Sequence, residues 1–457
     1  MPLLDKIRED KLIELARARF DANLSKAELK VLHDSASSED LPDPAPNAPR
    51  PVIGAEFLRW LASDPDAALQ IDPKGLQVYA ATIRGKLDLE GCPVRATLDF
   101  RRCTFLSEIN LEQAETKGIY FLDSCLAQGI SAVSANIQGL FVLHSIVARG
   151  GICLPRAQVS GDFACNGGKL ETKGIALNAE GARIGGAFFL IDGFESEGEI
   201  RLRGAEITGD LVCTGAVLKA TGDVLCADRA TIGGAVFLNE GFESKGRVYF
   251  SAAKIGVDLE IVGATVAAVN CQNTVVQGDL IWQDIVNSAS TDLDLTGARV
   301  KNLRDDRESW PAKGNLHLHG LVYEELTIQP RPLAKGIKES NSAEKQRLKD
   351  EDRIDWLMRQ PGNEHPPQPV NELIEAQPWM LLSKHLEDKG DRDGAKHVVF
   401  KYRCQLAHAK KKNWRIERWW AIAFAWLEEN RCASDIPLHS LCLWVGPSFG
   451  MRTEKDG

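Results

Sequence analysis

Residues 184–198 read IGGAFFLIDGFESEG and residues 232–246 read IGGAVFLNEGFESKG, the same pattern displaced by 48 positions. Across residues 182–198, 12 of 17 positions recur at that offset. A shorter motif runs through both copies, A-x-φ-x-G-x-φ-x-φ, with φ apolar. It starts, with substitutions, at Cys92, Ala114, Ala135, Ala157, Ala182, Ala205, Ala230, Ala253, Thr274 and Ala298. Those nine steps cover 206 residues, a period of about 23. Periods of this length mark repeat architectures, in which no unit can bury its apolar face alone.

Each period holds two φ-x-φ triads, such as Leu87/Leu89 with Leu98/Phe100, or Phe188/Leu190 with Ile200/Leu202. Alternation over three residues is strand periodicity. Triads this short make no sandwich, but stacked coil on coil they share one core, each bonded to the strands above and below. The expected fold is mainly β: a parallel β-solenoid over residues 75–330, with ten or eleven coils of about 23 residues and helical N-terminal and C-terminal regions. At ~4.8 Å per coil the rod is on the order of 50 Å long.

Three columns of the repeat invite a chemical reading. The first position is Ala, Cys or Thr, and the alternate half-coils begin at Ala81, Cys103 and Cys125. An inward corner admits only a small side chain, and free Cys is a small hydrophobe, so Cys92, Cys103 and Cys125 are read as alanine substitutes. Cys165 and Cys213 close triads and are read as facing the core. Glycines at the fifth position (Gly139, Gly161, Gly186, Gly209, Gly234, Gly278) are read as corners that need permissive backbone angles. Asp162, Asp210, Asp258 and Asp279 share one column, with Ala187 and Ala235 between them. Close carboxylates can share a proton or bind a cation, but spacing by Ala reads as avoidance of repulsion between solvated residues. Glu195 and Glu243 form a similar pair. His317 and His319 in NLHLHG share a strand face but have no third ligand nearby, and read as surface residues.

Composition narrows the function classes. The 457 residues are 44% hydrophobic and 26% charged, with net charge −9. Residues 81–330 carry 23 basic and 31 acidic side chains, a net of −8, whereas residues 331–457 carry 22 and 19, a net of +3. An acidic middle lacks the clustered Lys and Arg that phosphate contacts need, so no nucleic-acid partner is expected. No stretch approaches the ~20 apolar residues of a membrane span, and the start MPLLDKIRED does not read as a secretory leader. The eleven cysteines include no CxxC pair. No G-x-G-x-x-G follows a strand, and there is no Walker A, H-E-x-x-H or G-x-S-x-G. No catalytic, cofactor-binding or metal-binding residues are expected, and no cofactor.

The flanks read as helical. Residues 1–33 form two helices, the second with a capping box of Ser25 and Glu28. Residues 34–51 read as a disordered linker, and 52–74 as a helical cap containing EFLRWL. Residues 331–430 form a helical region with a charged helix at 340–358. Its αα-hairpin at 378–412 sets Trp379, Leu382 and Leu386 against Ala395, Val398, Val399 and Tyr402. Residues 431–457 form an irregular tail. The strongest outlying feature is basic: Lys396, Lys401, Arg403, Lys410, Lys411, Lys412, Arg415 and Arg418, followed by WWAIAFAWL at 419–427. Nine apolar residues cannot span a bilayer, but Lys410, Lys411, Lys412, Arg415 and Arg418 beside Trp419, Trp420, Phe424 and Trp426 suit contact with an anionic membrane surface. The alternative is a Trp face packed on the hairpin or the last coil.

The cap EFLRWL, then IDPKGLQVYAATIRGKLDLEGC and repeated GA-x-I-x-GDL-x-L units, resembles uncharacterised bacterial pentapeptide-like solenoid proteins over about residues 52–425. In those, the resemblance implies a TPR-like helical hairpin after the repeats and then membrane segments. It carries no catalytic residues over. The chain departs from the family in its 23-residue coils, against 20 for strict pentapeptide repeats, and in the absence of the expected span. The functional expectation is a non-enzymatic scaffold that presents a solenoid surface to a protein partner. It is placed in the cytoplasm, peripheral at the inner face of the membrane. The alternative is a polysaccharide-active β-helix enzyme, lyase or hydrolase.

Overall fold

In the computed structural model, which describes residues 2–20, 24–39, 50–328, 350–361 and 375–409, the alanine column is a corner. Ala114 N–H closes a four-residue turn on the Leu111 carbonyl, and the turn's third residue, Gln113, has φ 55°. The same turn recurs at Ser134, Arg156, Arg229, Ala252 and Asn273, and with glycine at Gly181, Gly204 and Gly297. A side chain just past such a turn points into the coil, and from Ala114 to Ala298 no member of the column is more than 1% exposed.

A second left-handed corner lies half a coil away, at Ala80, Arg102, Asp123, Ser145, Gly167, Gly193, Gly215, Gly241 and Gly263. Two corners and two gentler bends make each coil four-sided. In one coil, side one is Glu115–Thr116, side two Gly118–Leu122, side three Cys125–Leu126 and side four Ile130–Ser131. Every pairing between strands is parallel, and sides one and two, and three and four, merge into two 19-stranded sheets. The chain makes about eleven turns of some 23 residues, with helices at both ends.

The second corner corrects the reading of Cys125. Cys125 pairs with Thr104 and Val147 on side three and is half-buried rather than inward. The inward residue is Ser124, whose hydroxyl accepts from Cys103 N–H at 3.0 Å. The coil from Cys103 is 21 residues long, not 22, so the column slips by one. Nor is this corner restricted to small residues: it runs Gly168, Phe194, Ala216, Phe242, Ala264. Large and small side chains alternate along this part of the core, all of Phe194, Ala216, Phe242 and Ala264 being buried. Elsewhere the core is stacked phenylalanine, with Phe163 and Phe188 at 4.5 Å and Phe100 and Phe121 at 5.1 Å between ring centroids.

Both ends of the rod are covered. Upstream, α1 (Pro2–Phe20) and α2 (Lys26–Ala36) form a helical pair, and α2 carries the Ser25/Glu28 capping box. The helix α2 runs past the linker boundary read at residue 34, because Asp34, Ser35 and Ala36 are buried. Strand Val52–Gly54 pairs with Thr82–Arg84. The helices α3 (Ala55–Ser63) and α4 (Pro65–Ala68) follow, with Phe57, Leu58, Trp60 and Leu61 of α3 buried. Phe20 of α1 meets Phe57 and Trp60 of α3 at 5.6 and 5.5 Å. Downstream, α5 (Asp350–Leu357) is tied to the last coils by a fully buried ion pair. Arg353 donates to both oxygens of Asp305 at 2.7 and 2.8 Å, and Trp310 Nε1 adds a third bond at 3.0 Å. Trp310 and Trp356 rings lie 5.4 and 5.2 Å from the guanidinium. Burial raises the Asp305 carboxyl, against the pull of Arg353.

Residues 369–457 form a separate compact unit. Its described part is the hairpin of α6 (Ala376–Asp388) and α7 (Arg392–Ala409), joined through Gly390. Trp379, Leu382, Leu386, Ala395 and Val398 are buried between them, and Trp379 meets Tyr402 at 5.9 Å.

Candidate functional site

The aspartate column does structural work. Ala187 N–H donates to Asp162 Oδ1 at 2.8 Å, Ala235 N–H to Asp210 Oδ1 at 2.8 Å, and Asp279 N–H to Asp258 Oδ1 at 2.6 Å. Each carboxylate thus answers a backbone donor of the following coil. This corrects the reading of these residues as merely solvated. It also corrects the glycine column, whose members keep φ in the ordinary range. A Cβ at Gly186, Gly234 or Gly278 would fall on the Asp carboxylate of the preceding coil, and one at Gly139 on the Lys117 carbonyl. The glycines are there for close approach between coils. Asp279, which has an Asp neighbour, is further held by Arg304 at 2.7 Å and by Asn302.

Sides three and four carry a charged groove of about 590 Å³ between the turns at residues 173–175 and 219–223. Glu199, Arg201, Lys173 and Lys219 line it. Arg201 bonds Glu199 at 2.8 Å. Partial burial works to raise the Glu199 carboxyl, but hydrogen bonds from Arg201 and the Cys226 thiol hold it below the ordinary glutamate range. Arg201 Nε is buried without an acceptor among the described residues. Glu195 and Glu243 lie two coils apart with Val217 between. Lys219 pairs with Glu195 and lowers its carboxyl pKa. A second groove, about 480 Å³, lies where side two begins. There Arg101 pairs with Asp99 at 3.0 Å and covers the Tyr79 ring at 4.9 Å.

Side two beyond that groove is a different surface. The strand register aligns Tyr120, Val142, Ala164, Phe189, Val212, Phe237, Glu260 and Ile281 in one outward column. All eight are half-buried by their own neighbours in the stack. The strands that carry them contain no lysine or arginine. Side one, one bend away, instead shows Arg183, Glu206 and Lys254 in its outward column. Sequence reading missed this surface because it weighed only the outer positions of each triad. Its signal was a middle residue that is also apolar, as in Phe-Val-Leu, Phe-Phe-Leu and Val-Phe-Leu at residues 141–143, 188–190 and 236–238.

Cys103, Cys165 and Cys213 are fully buried, and Cys92 is half-buried. Burial pushes the Cys103 and Cys213 thiols up to about 12. Among the described residues no group of three or more His, Cys, Asp or Glu is placed to hold a metal ion. His317 lies 3.7 Å from Asp292. No helix among the described residues is long and apolar enough to cross a membrane. Lys410, Lys411, Lys412, Arg415, Arg418, Trp419, Trp420, Phe424 and Trp426 lie outside the described residues. Comparison with family models, with curated proteins and with solved structures finds no match to this chain.

Proposed function

We propose that the protein is a non-enzymatic scaffold that binds protein surfaces along its rod. Side two carries the reading: an outward column over eight coils that is aromatic or aliphatic at every rung but Glu260, with no lysine or arginine in its strands. Contiguous outward apolar residues mark interaction sites where isolated ones do not, and here they run on from coil to coil, each half-buried by its neighbours. The polysaccharide-active alternative needs outward carboxylates free to move protons, and Asp162, Asp210 and Asp258 are instead bonded to backbone N–H groups. The four-sided coil with a small inward corner residue supports the resemblance to pentapeptide-like proteins. Nine free cysteines among the described residues suit a reducing compartment such as the cytoplasm. Contact with an anionic membrane surface rests on the basic, Trp-rich stretch at residues 410–426.

The test is photo-crosslinking in native cells, with benzoylphenylalanine placed at Phe189 on side two or at Arg183 on side one. A discrete protein adduct from Phe189, absent from Arg183, is the expected result. Equal or absent crosslinking at the two positions overturns the reading.

A further inference from the structure

We propose that side two is occupied by a second copy of this chain, the two rods lying antiparallel; this rests on the scaffold reading of that surface. The column repeats every ~4.8 Å, so its side chains meet a partner in register only if that partner has the same rung spacing. A helix, at 5.4 Å per turn, drifts out of step within a few rungs.

The order of residue sizes along the column also favours a reversed copy. A two-fold axis between the coils of Phe189 and Val212 sets those two residues opposite each other. One rung out, Ala164 faces Phe237; further out, Val142 faces Glu260 and Tyr120 faces Ile281. Bulky residues of one copy thus meet smaller residues of the other, except at the outermost rung. A parallel pairing would instead set each residue against itself, Phe237 on Phe237 and Glu260 on Glu260.

The flanking column points the same way. It runs Gly118, Leu140, Asp162, Ala187, Asp210, Ala235, Asp258, Asp279. Reversed about the same axis, Asp162 meets Ala235, Asp210 meets Ala187, Asp258 meets Leu140 and Asp279 meets Gly118. No carboxylate faces another. Eight rungs at ~4.8 Å, about five residues wide at ~3.3 Å, give on the order of 500 Å² per copy before side-chain relief is counted. Twice that reaches the ~1,000 Å² that a specific interface needs.

The test uses the purified full chain. Sedimentation equilibrium should give twice the 50.2 kDa chain mass at micromolar concentration. Phe189→Arg, at the axis, should weaken association at least 100-fold while its circular dichroism and melting stay as in the parent. Orientation is read with bismaleimide crosslinking. Chains bearing Ala164→Cys mixed with chains bearing Phe237→Cys should crosslink, and Ala164→Cys alone should not. The natural cysteines nearest that column, Cys165 and Cys213, are fully buried. A monomer at all concentrations, a dimer indifferent to Phe189→Arg, or self-crosslinking of Ala164→Cys each overturns the proposal. A monomeric protein whose Phe189 crosslinks a different protein in cells removes the second copy and leaves the scaffold reading standing.

Discussion

At Gly186 a methyl group and the Asp162 carboxylate would compete for one place. Asp162→Ala should cost about 1–3 kcal/mol, because Ala187 N–H loses its acceptor inside the stack. Gly186→Ala should cost at least as much in the parent but distinctly less beside Asp162→Ala. A double-mutant cycle in urea should then show coupling above about 1 kcal/mol; additive effects would mean that the carboxylate and the glycine are unrelated. The buried thiols supply a pH test. Cys165 is raised by burial alone, and Cys213 reaches about 12 against an ordinary 9.0. A group that binds its proton more tightly when folded stabilises the fold below its unfolded pKa and loses that contribution as pH climbs toward the folded one. The melting temperature should therefore hold from pH 7 to 8.5 and fall between about pH 9 and 12. The fall should be shallower in a Cys165→Ala, Cys213→Ala variant. The small inward column was legible at this scale because every member obeys one steric rule. The aspartate bonds were not, because each joins residues 21 or 25 positions apart, and the Asp/Ala alternation has an equally simple electrostatic reading.

Among the elements, the helices α2 and α3 announced themselves through a capping box and an amphipathic run. The lock on α5 did not. Asp305 takes the inward place that Trp282 holds one coil earlier, but Arg353 belongs to no repeat, and nothing in a charged segment marks which arginine will be buried. Arg353→Met should cost about 3–5 kcal/mol in chemical unfolding, since it leaves the Asp305 carboxylate buried and unpaired. Adding Asp305→Asn should recover part of that loss. If Arg353→Met unfolds like the parent, α5 does not seal the rod. The basic stretch at residues 410–426 is tested with vesicles. Full-length protein should co-sediment with anionic but not neutral lipid, and binding should weaken with salt and on changing Lys410, Lys411 and Lys412 to Gln, each worth about 1 kcal/mol. Recovery in the supernatant at low salt would end the membrane proposal.

For the whole molecule, architecture was legible and surface was not. Stacking demands repetition of what points inward, so the core is written once per coil; outward residues are free to differ, and only their assembly across eight coils exposes side two. The alternation of Asp162, Ala187, Asp210 and Ala235 has a consequence for how such a rod lengthens. An acid–glycine handshake links each Asp coil to the next, and a coil bearing Ala offers no such hand. The heritable unit over this stretch is consequently a pair of coils, as the 48-residue echo in the sequence attests. Excising residues 182–229 rejoins Gly181 to Ala230, with the left-handed Gly181 taking the place of the left-handed Arg229, and brings Gly234 onto Asp162. That shortened rod should fold and melt as one cooperative unit. Excising a single coil, residues 182–204, stacks Asp162 directly beneath Asp210 with no counterpart of Arg304 to separate them, and should melt lower. The rod thus has a grammar of couplets: lines may be added or dropped two at a time, and an odd line leaves two like charges rhyming with each other.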